Sequence, residues 1–244
     1  MNQRLEKKVA LITGGSKGLG LAIAKVFARE GASLFLVARN TADLDLAAKA
    51  LTEAGAEVAT LAIDVSAPHA TERAADACSK RFGHIDILVN GAGFFLWRKF
   101  TEVSLDDWQR VVTTNLTAPF CMAQSVARRM EKDGQGGCII NIASIHGSVA
   151  DGNVVPQCAT KLGVVGMTRA MAEALRGVGV RVNSISPGAI DPDSGEDLSE
   201  GLQSKITQRD IAEMALYPAS DAARGVSGAN FEAHGITRAV VASK

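Results

Sequence analysis

Short runs of consecutive apolar residues alternate along this chain with longer segments in which apolar residues recur every three or four positions. The first pattern is that of strands buried on both faces, the second that of helices covering them. It predicts strands over 9–13, 33–38, 58–63, 85–89, 138–142, 180–185 and 229–233. Helices are predicted over 19–30, 42–54, 68–82, 105–130, 156–175 and 207–219. Residues 19–30 show the logic: Leu19, Ile23, Val26 and Phe27 share one helical face, and Gly31 is placed to end it. Such alternation predicts an α/β fold built on a doubly wound parallel sheet. No internal repeat, low-complexity tract or linker divides the chain, so residues 1–244 read as a single domain. The most polar segment, 191–205, is dense in acids, Ser and Gly and reads as a loop, a candidate lid.

Charge changes this picture little. Lys plus Arg equals Asp plus Glu at 26 each, so no net basic field favours nucleic acid or an anionic membrane. Neither a leader peptide nor an apolar run of membrane-spanning length is visible, and the expected location is the cytoplasm. Cys78, Cys121, Cys138 and Cys158 form no C-x-x-C pair, so no metal site is expected and they read as small apolar residues.

The candidate chemistry begins between the first strand and the first helix, at Thr13-Gly14-Gly15-Ser16-Lys17-Gly18-Leu19-Gly20. Glycines there allow a tight turn and a close approach to a pyrophosphate, which the helix N-terminus then receives with free N–H groups, as in the Rossmann fold. Gly14, Ser16, Lys17, Gly18, Leu19 and Gly20 are therefore candidate cofactor-binding residues. Gly14-Gly15-Ser16-Lys17-Gly18 also fits a serine-hydrolase nucleophile elbow, but Gly20 has no role there and an elbow follows several strands, not the first. A P-loop is excluded because Leu21, not Ser or Thr, follows Gly20. The second strand ends in Arg39, 19 residues beyond Gly20, with no acid before it. Arg39 and Lys17 together favour a ribose 2′-phosphate over a free 2′-hydroxyl, hence NADP(H) over NAD(H).

With these residues in view, the chain resembles the short-chain dehydrogenase/reductase family over essentially its whole length. Asp64-Val65 stands where the family's Asp contacts the adenine, and Asn90-Gly91-Ala92-Gly93 resembles the family's Asn-Asn-Ala-Gly turn. Asn115, Ser144 and Lys161 stand at the positions of the family's catalytic Asn, Ser and Lys, and Pro187-Gly188 follows the 180–185 strand. The resemblance implies that Asp64, Val65, Asn90, Ala92, Gly93, Lys161, Pro187 and Gly188 join the cofactor site. It also implies a small-molecule alcohol or carbonyl substrate and a homo-oligomer, a dimer or a tetramer. Val111, Val112, Leu116 and Phe120 on the long helix fit burial against a partner or within the core.

The departures bear on the chemistry. Where the family has a Tyr, four residues before Lys161, this chain has Gln157, and its one tyrosine is Tyr217 in the last helix. Gly91 replaces the second Asn of the turn, Pro192 stands near the family's Thr, and the 188–209 stretch is short for a substrate loop. A single Tyr-to-Gln substitution would account for position 157 but not for the others. An amide hydrogen-bonds a substrate oxygen but exchanges no proton near neutral pH. His146, two residues after Ser144, reads either as a replacement acid/base or as a surface-loop histidine. Phe94, Phe95, Leu96 and Trp97 read either as a pocket wall or as a packed stripe. Two functions follow: an NADP(H)-dependent oxidoreductase with an altered proton donor, or a catalytically silent NADP(H)-binding sensor or scaffold.

Overall fold

The computed structural model describes residues 3–191 and 206–234. The candidate lid, apart from Asp191, and Pro192 lie outside the described residues, as does the middle of the 188–209 stretch. The expected strands appear as β1 (Val9–Thr13), β2 (Ser33–Ala38), β3 (Val58–Ala62), β4 (Ile87–Asn90), β5 (Gly137–Ile142) and β6 (Val180–Pro187). Two short strands, β7 (Ile190–Asp191) and β8 (Ile206–Thr207), pair with each other, and β9 (Asn230–Ala233) completes the main sheet. That sheet is parallel and seven-stranded, in the order β3-β2-β1-β4-β5-β6-β9. The chain moves outward from β1 in one direction, then returns to place β4 on its other side. The crevice at the carboxyl ends of β1 and β4 is where open α/β sheets receive ligands.

Alternate residues of each strand feed two cores. Ala10, Ile12, Leu34, Leu36, Val89 and Ile140 pack under α1 (Gly18–Arg29), α2 (Thr41–Glu53) and α7 (Gln208–Ala219). Leu11, Phe35, Val37, Leu88, Ile139 and Val182 pack under α3 (Ala70–Phe82) and α5 (Ala118–Asp133), with Ala172 of α6 (Val155–Ala174). Both faces of the central strands are thus dry, which explains their unbroken apolar runs. Cys78 and Cys138 sit in these cores, where burial pushes their thiols up to about 12 and about 11, so both behave as small apolar residues.

The 105–130 helix is corrected by the structure. It consists of α4 (Leu105–Val112), a π-helical turn at Thr113–Thr117, and α5. Pro119 has no N–H to offer the Asn115 carbonyl four residues earlier, so an α-helical ladder cannot run through unbroken. Asn115 also bonds out of the helix: its Oδ1 accepts from the Phe94 N–H at 2.7 Å, and its Nδ2 donates to the Phe94 carbonyl at 2.8 Å. The bulge turns Asn115 away from the helix axis and toward the β4 turn.

Beneath that turn runs a buried polar chain. Asn90 Nδ2 donates to the Pro119 carbonyl at 3.2 Å and to Asn141 Oδ1 at 2.9 Å, and Asn141 Nδ2 donates to Thr168 Oγ1 at 2.9 Å. It ties β4, α5, β5 and α6 together directly below the carboxyl ends of the strands. In Asn90→Leu the Pro119 carbonyl and Asn141 Oδ1 each lose this donor, and stability should fall by on the order of 1–3 kcal/mol for each stranded acceptor. Urea denaturation measures this. An Asn90→Leu, Asn141→Leu pair that costs as much as the two single changes added would show that the chain does not act as a unit.

Candidate active site

The glycine loop is shaped by close backbone contacts. A Cβ on Gly20 would lie 2.2 Å from the Gly14 carbonyl oxygen, and one on Gly14, at φ +72°, would lie 3.0 Å from the Gly91 carbonyl and the Ala92 nitrogen. A Cβ on Gly91 would meet the Thr13 carbonyl at 2.8 Å, so a glycine fits this turn where the related family has a larger residue. Gly18, at φ +55°, has nothing within 4 Å of its missing Cβ, leaving open space before the helix. No side chain caps α1, and its first turn holds no acid, so its leading N–H groups and positive dipole end are open to an anion.

A hollow of about 330 Å³ opens in front of this loop. Gly14, Ser16, Lys17, Arg39, Asp64, Val65, Ala92 and Gly93 line it, together with Asn40, Asp43, Ser66, Arg110 and Thr114, which sequence reasoning did not single out. Arg110 stacks on the Phe94 ring, 4.0 Å from its centroid, so it reaches the site from α4 by a tertiary contact that no local pattern signals. Lys17 lies 3.6 Å from Asp43, which offsets part of its charge. Burial acts upward on Asp64, but the Ser66 hydroxyl and backbone N–H, with Arg39 and Arg110 nearby, hold its carboxyl below the ordinary value. Asn90, by contrast, does not line this hollow, because its side chain is spent on the buried chain beneath.

A second hollow of about 260 Å³ shares Gly93 and Phe94 with the first. Leu19, Asn115, Ile142, Ser144, His146, Gln157, Lys161, Pro187 and Gly188 are among its walls. Of the expected residues, all but Gly18, Gly20 and Asn90 thus line one or other half of a divided cleft. Phe94 and Phe95 also line it, whereas Trp97 is 54% exposed and lies outside. Tyr217 is likewise elsewhere, on α7, edge-on to Phe231.

Gln157 and Lys161 stand one turn apart on α6 and share a face. Lys161 Nζ donates to the Ile142 carbonyl at 2.8 Å, pinning it at the end of β5. Burial pulls its ammonium down to about 8. Ser144 accepts a bond from the His146 N–H at 3.2 Å and so caps a short 3₁₀ turn, Ile145–Gly147, that carries the histidine. Gln157 is only 3% exposed. Its Oε1 and Nε2 have no hydrogen-bond partner among the described residues, and neither has His146 Nδ1.

Three comparisons bear on this arrangement. The family model described as short chain dehydrogenase matches residues 8–203. The D-threitol dehydrogenase of Mycolicibacterium smegmatis is 38% identical over 239 residues, covering 93% of this chain and 91% of its own. The 3-oxoacyl-[acyl-carrier-protein] reductase FabG of Vibrio cholerae is 33% identical over 241 residues, covering 95% of this chain and 97% of its own. A solved short-chain type dehydrogenase/reductase from Mycobacterium marinum superposes with a TM-score of 0.89 at 31% identity, covering 99% of this chain and 98% of that one.

The state of Lys161 is open to measurement. Its folded pKa lies below its ordinary 10.5, so between about 8 and 10.5 the unfolded chain binds more protons than the folded one, and stability rises with pH. The stability of the wild type minus that of Lys161→Met should climb across this window in chemical denaturation. A flat difference would place the ammonium in water.

Proposed function

The chain belongs to the short chain dehydrogenase family, and we propose on that premise that it is an NADP(H)-dependent oxidoreductase that interconverts an alcohol and a carbonyl with an altered proton donor. The observation that carries this reading is the divided cleft. Anion-receiving backbone and cations border one half, Ser144, Lys161 and Asn115 border the other, and Gly93 and Phe94 form the shared wall.

The cofactor site fits a dinucleotide. The open space at Gly18 and the uncapped start of α1 suit a pyrophosphate, Asp64 and Val65 suit the adenine end, and Arg39 suits a 2′-phosphate. Because Asp43 offsets Lys17, Arg39 carries most of the preference for the phosphorylated form. When bound, the nicotinamide supplies or accepts the hydride. Lys161 offers its remaining donors to the ribose hydroxyls, and Pro187 and Gly188 wall the same half of the cleft. Ser144 Oγ donates to the substrate oxygen. Gln157 holds that oxygen but carries no exchangeable proton near neutral pH. His146, on the same wall with Nδ1 unengaged, passes the proton that a phenol would otherwise give.

No helix among the described residues is long and apolar enough to cross a membrane, and a cytoplasmic site of action suits the reading. The oligomer belongs to it as well. Val111 and Leu116 pack inside the subunit, but Leu105 and Phe120 of α4 and α5 and Leu162 of α6 are exposed, an apolar face suited to a second copy.

NADPH oxidation with a panel of aldehydes and ketones tests the proposal. The wild type should turn over, Gln157→Tyr should bring no large gain, and His146→Ala should lower kcat by about 10²–10⁴. A silent wild type that Gln157→Tyr awakens would favour the silent binding protein instead. In a separate fluorescence titration, Arg39→Ala should weaken NADPH binding about tenfold or more, close to 1.4 kcal/mol, with little effect on NADH. Equal losses for the two cofactors would remove Arg39 from phosphate recognition.

A further inference from the structure

Six buried side-chain polar atoms lack a hydrogen-bond partner among the described residues, and three of them, Gln157 Oε1, Gln157 Nε2 and His146 Nδ1, belong to residues that line the second hollow. A buried amide without partners is among the costliest groups a fold can hold, and both ends of this one are unmatched. A Met or Leu would fill the same space at the start of α6 without that cost. An amide is also specific in what it accepts: it sets a donating NH2 and an accepting carbonyl oxygen side by side in a plane. The rest of the hollow narrows the choice. Its ionisable lining side chains are His146 and Lys161, with no carboxylate among them, so a cationic ligand has no counter-charge. Asn115 is bonded at both ends to Phe94, and Lys161, which gives one of its donors to the Ile142 carbonyl, makes no bond to the amide.

We infer that Gln157 is a specificity-determining residue that grips two neighbouring oxygens of the substrate, its Nε2 donating to the reacting oxygen and its Oε1 accepting from an adjacent hydroxyl. The substrate class is then an α-hydroxycarbonyl and its product a vicinal diol, rather than an isolated ketone. This rests on the alcohol–carbonyl reading above, since that reaction makes one of the two oxygens the reacting one. A 2-oxo acid matches the amide less well, because its carboxylate has no hydrogen to give Oε1 and would face the negative end of the amide dipole.

The test compares 3-hydroxybutan-2-one, butan-2-one and 2-oxobutanoate as substrates for NADPH oxidation. The wild type should prefer the hydroxyketone to butan-2-one by about tenfold or more in kcat/KM, the worth of one well-made hydrogen bond to a buried group. Gln157→Met should bring that ratio toward one. Gln157→Glu, which keeps the acceptor and loses the donor, should lower it in part. An unchanged ratio in Gln157→Met, or 2-oxobutanoate as the best substrate, would overturn the inference. Calorimetric titration of butane-2,3-diol into the protein with NADP+ separates this from the enzymatic reading. Binding that is lost in Gln157→Met upholds the grip even if nothing is turned over, whereas absence of binding by the wild type overturns it even if simple ketones react. Gln157→Met without ligand should also melt higher than the wild type, because it removes unmatched polar atoms. A lower melting temperature would mean that the amide serves the fold instead.

Discussion

The Thr13 hydroxyl holds the two halves of this molecule in register. Its Oγ1 accepts bonds from the Gly91 and Ala92 N–H groups at 3.1 and 3.2 Å and donates to the Val89 carbonyl at 3.4 Å. One side chain at the end of β1 thus anchors the turn after β4, at the point where the strand order reverses. The glycines on either side follow from this contact. With the turns so close, Gly14, Gly20 and Gly91 leave little or no room for a Cβ, and the hollow opens in front of Gly14, Ser16 and Lys17. The cleft is therefore a consequence of backbone packing, not of a few exposed side chains.

The second half of the cleft is held by different means. Asn115 reaches the β4 turn only because the helix bulges at Thr113–Thr117, and Lys161 reaches the end of β5 only through the Ile142 carbonyl. Both are polar links between elements that meet at the carboxyl edge of the sheet. With the small apolar cluster of Ala143, Val164 and Val165, against which Leu116 packs, they place Phe94, shared by the two hollows, and the Ser144 turn in fixed relation. Such links are specific in geometry and cost stability when incomplete, which is why the incomplete ones at Gln157 and His146 stand out.

How much of this was legible in the sequence depends on how local each determinant is. The central strands announce themselves because both faces are buried, and the glycine loop because its backbone conformations admit little else. The break at Thr113–Thr117 was hidden, because the apolar period continues across it while its causes are a missing N–H at Pro119 and bonds to Phe94, 21 residues away. Arg110 was hidden for the same reason, since a stack on Phe94 leaves no trace in its own helix. Asn90 stands in a recognisable turn, but that its side chain bonds to Asn141 and the Pro119 carbonyl depends on partners 51 and 29 residues away. Thr13 read as the last residue of a strand, although a hydroxyl facing a glycine turn is a signal that can be sought. The 192–205 stretch and Pro192 fall outside the described residues, so the expectations placed on them stand as expectations.

Position 157 shows how stability and binding can be weighed at a single residue. A tyrosine, the residue of the related family there, would bury a large apolar ring and require one partner for its hydroxyl. The glutamine buries less apolar area and requires partners at both ends, so the unliganded fold is less favoured by it on both counts. A site that had only to remain folded would be better served by an apolar side chain. Ser144, Lys161 and Asn115 line the same hollow, Ser144 held within its own turn and Lys161 and Asn115 by bonds to neighbouring segments, so the hollow has not collapsed around the smaller residue. Under the proposed grip, a ligand with oxygens of its own turns the cost of the amide into affinity, which an apolar side chain at this position could not do.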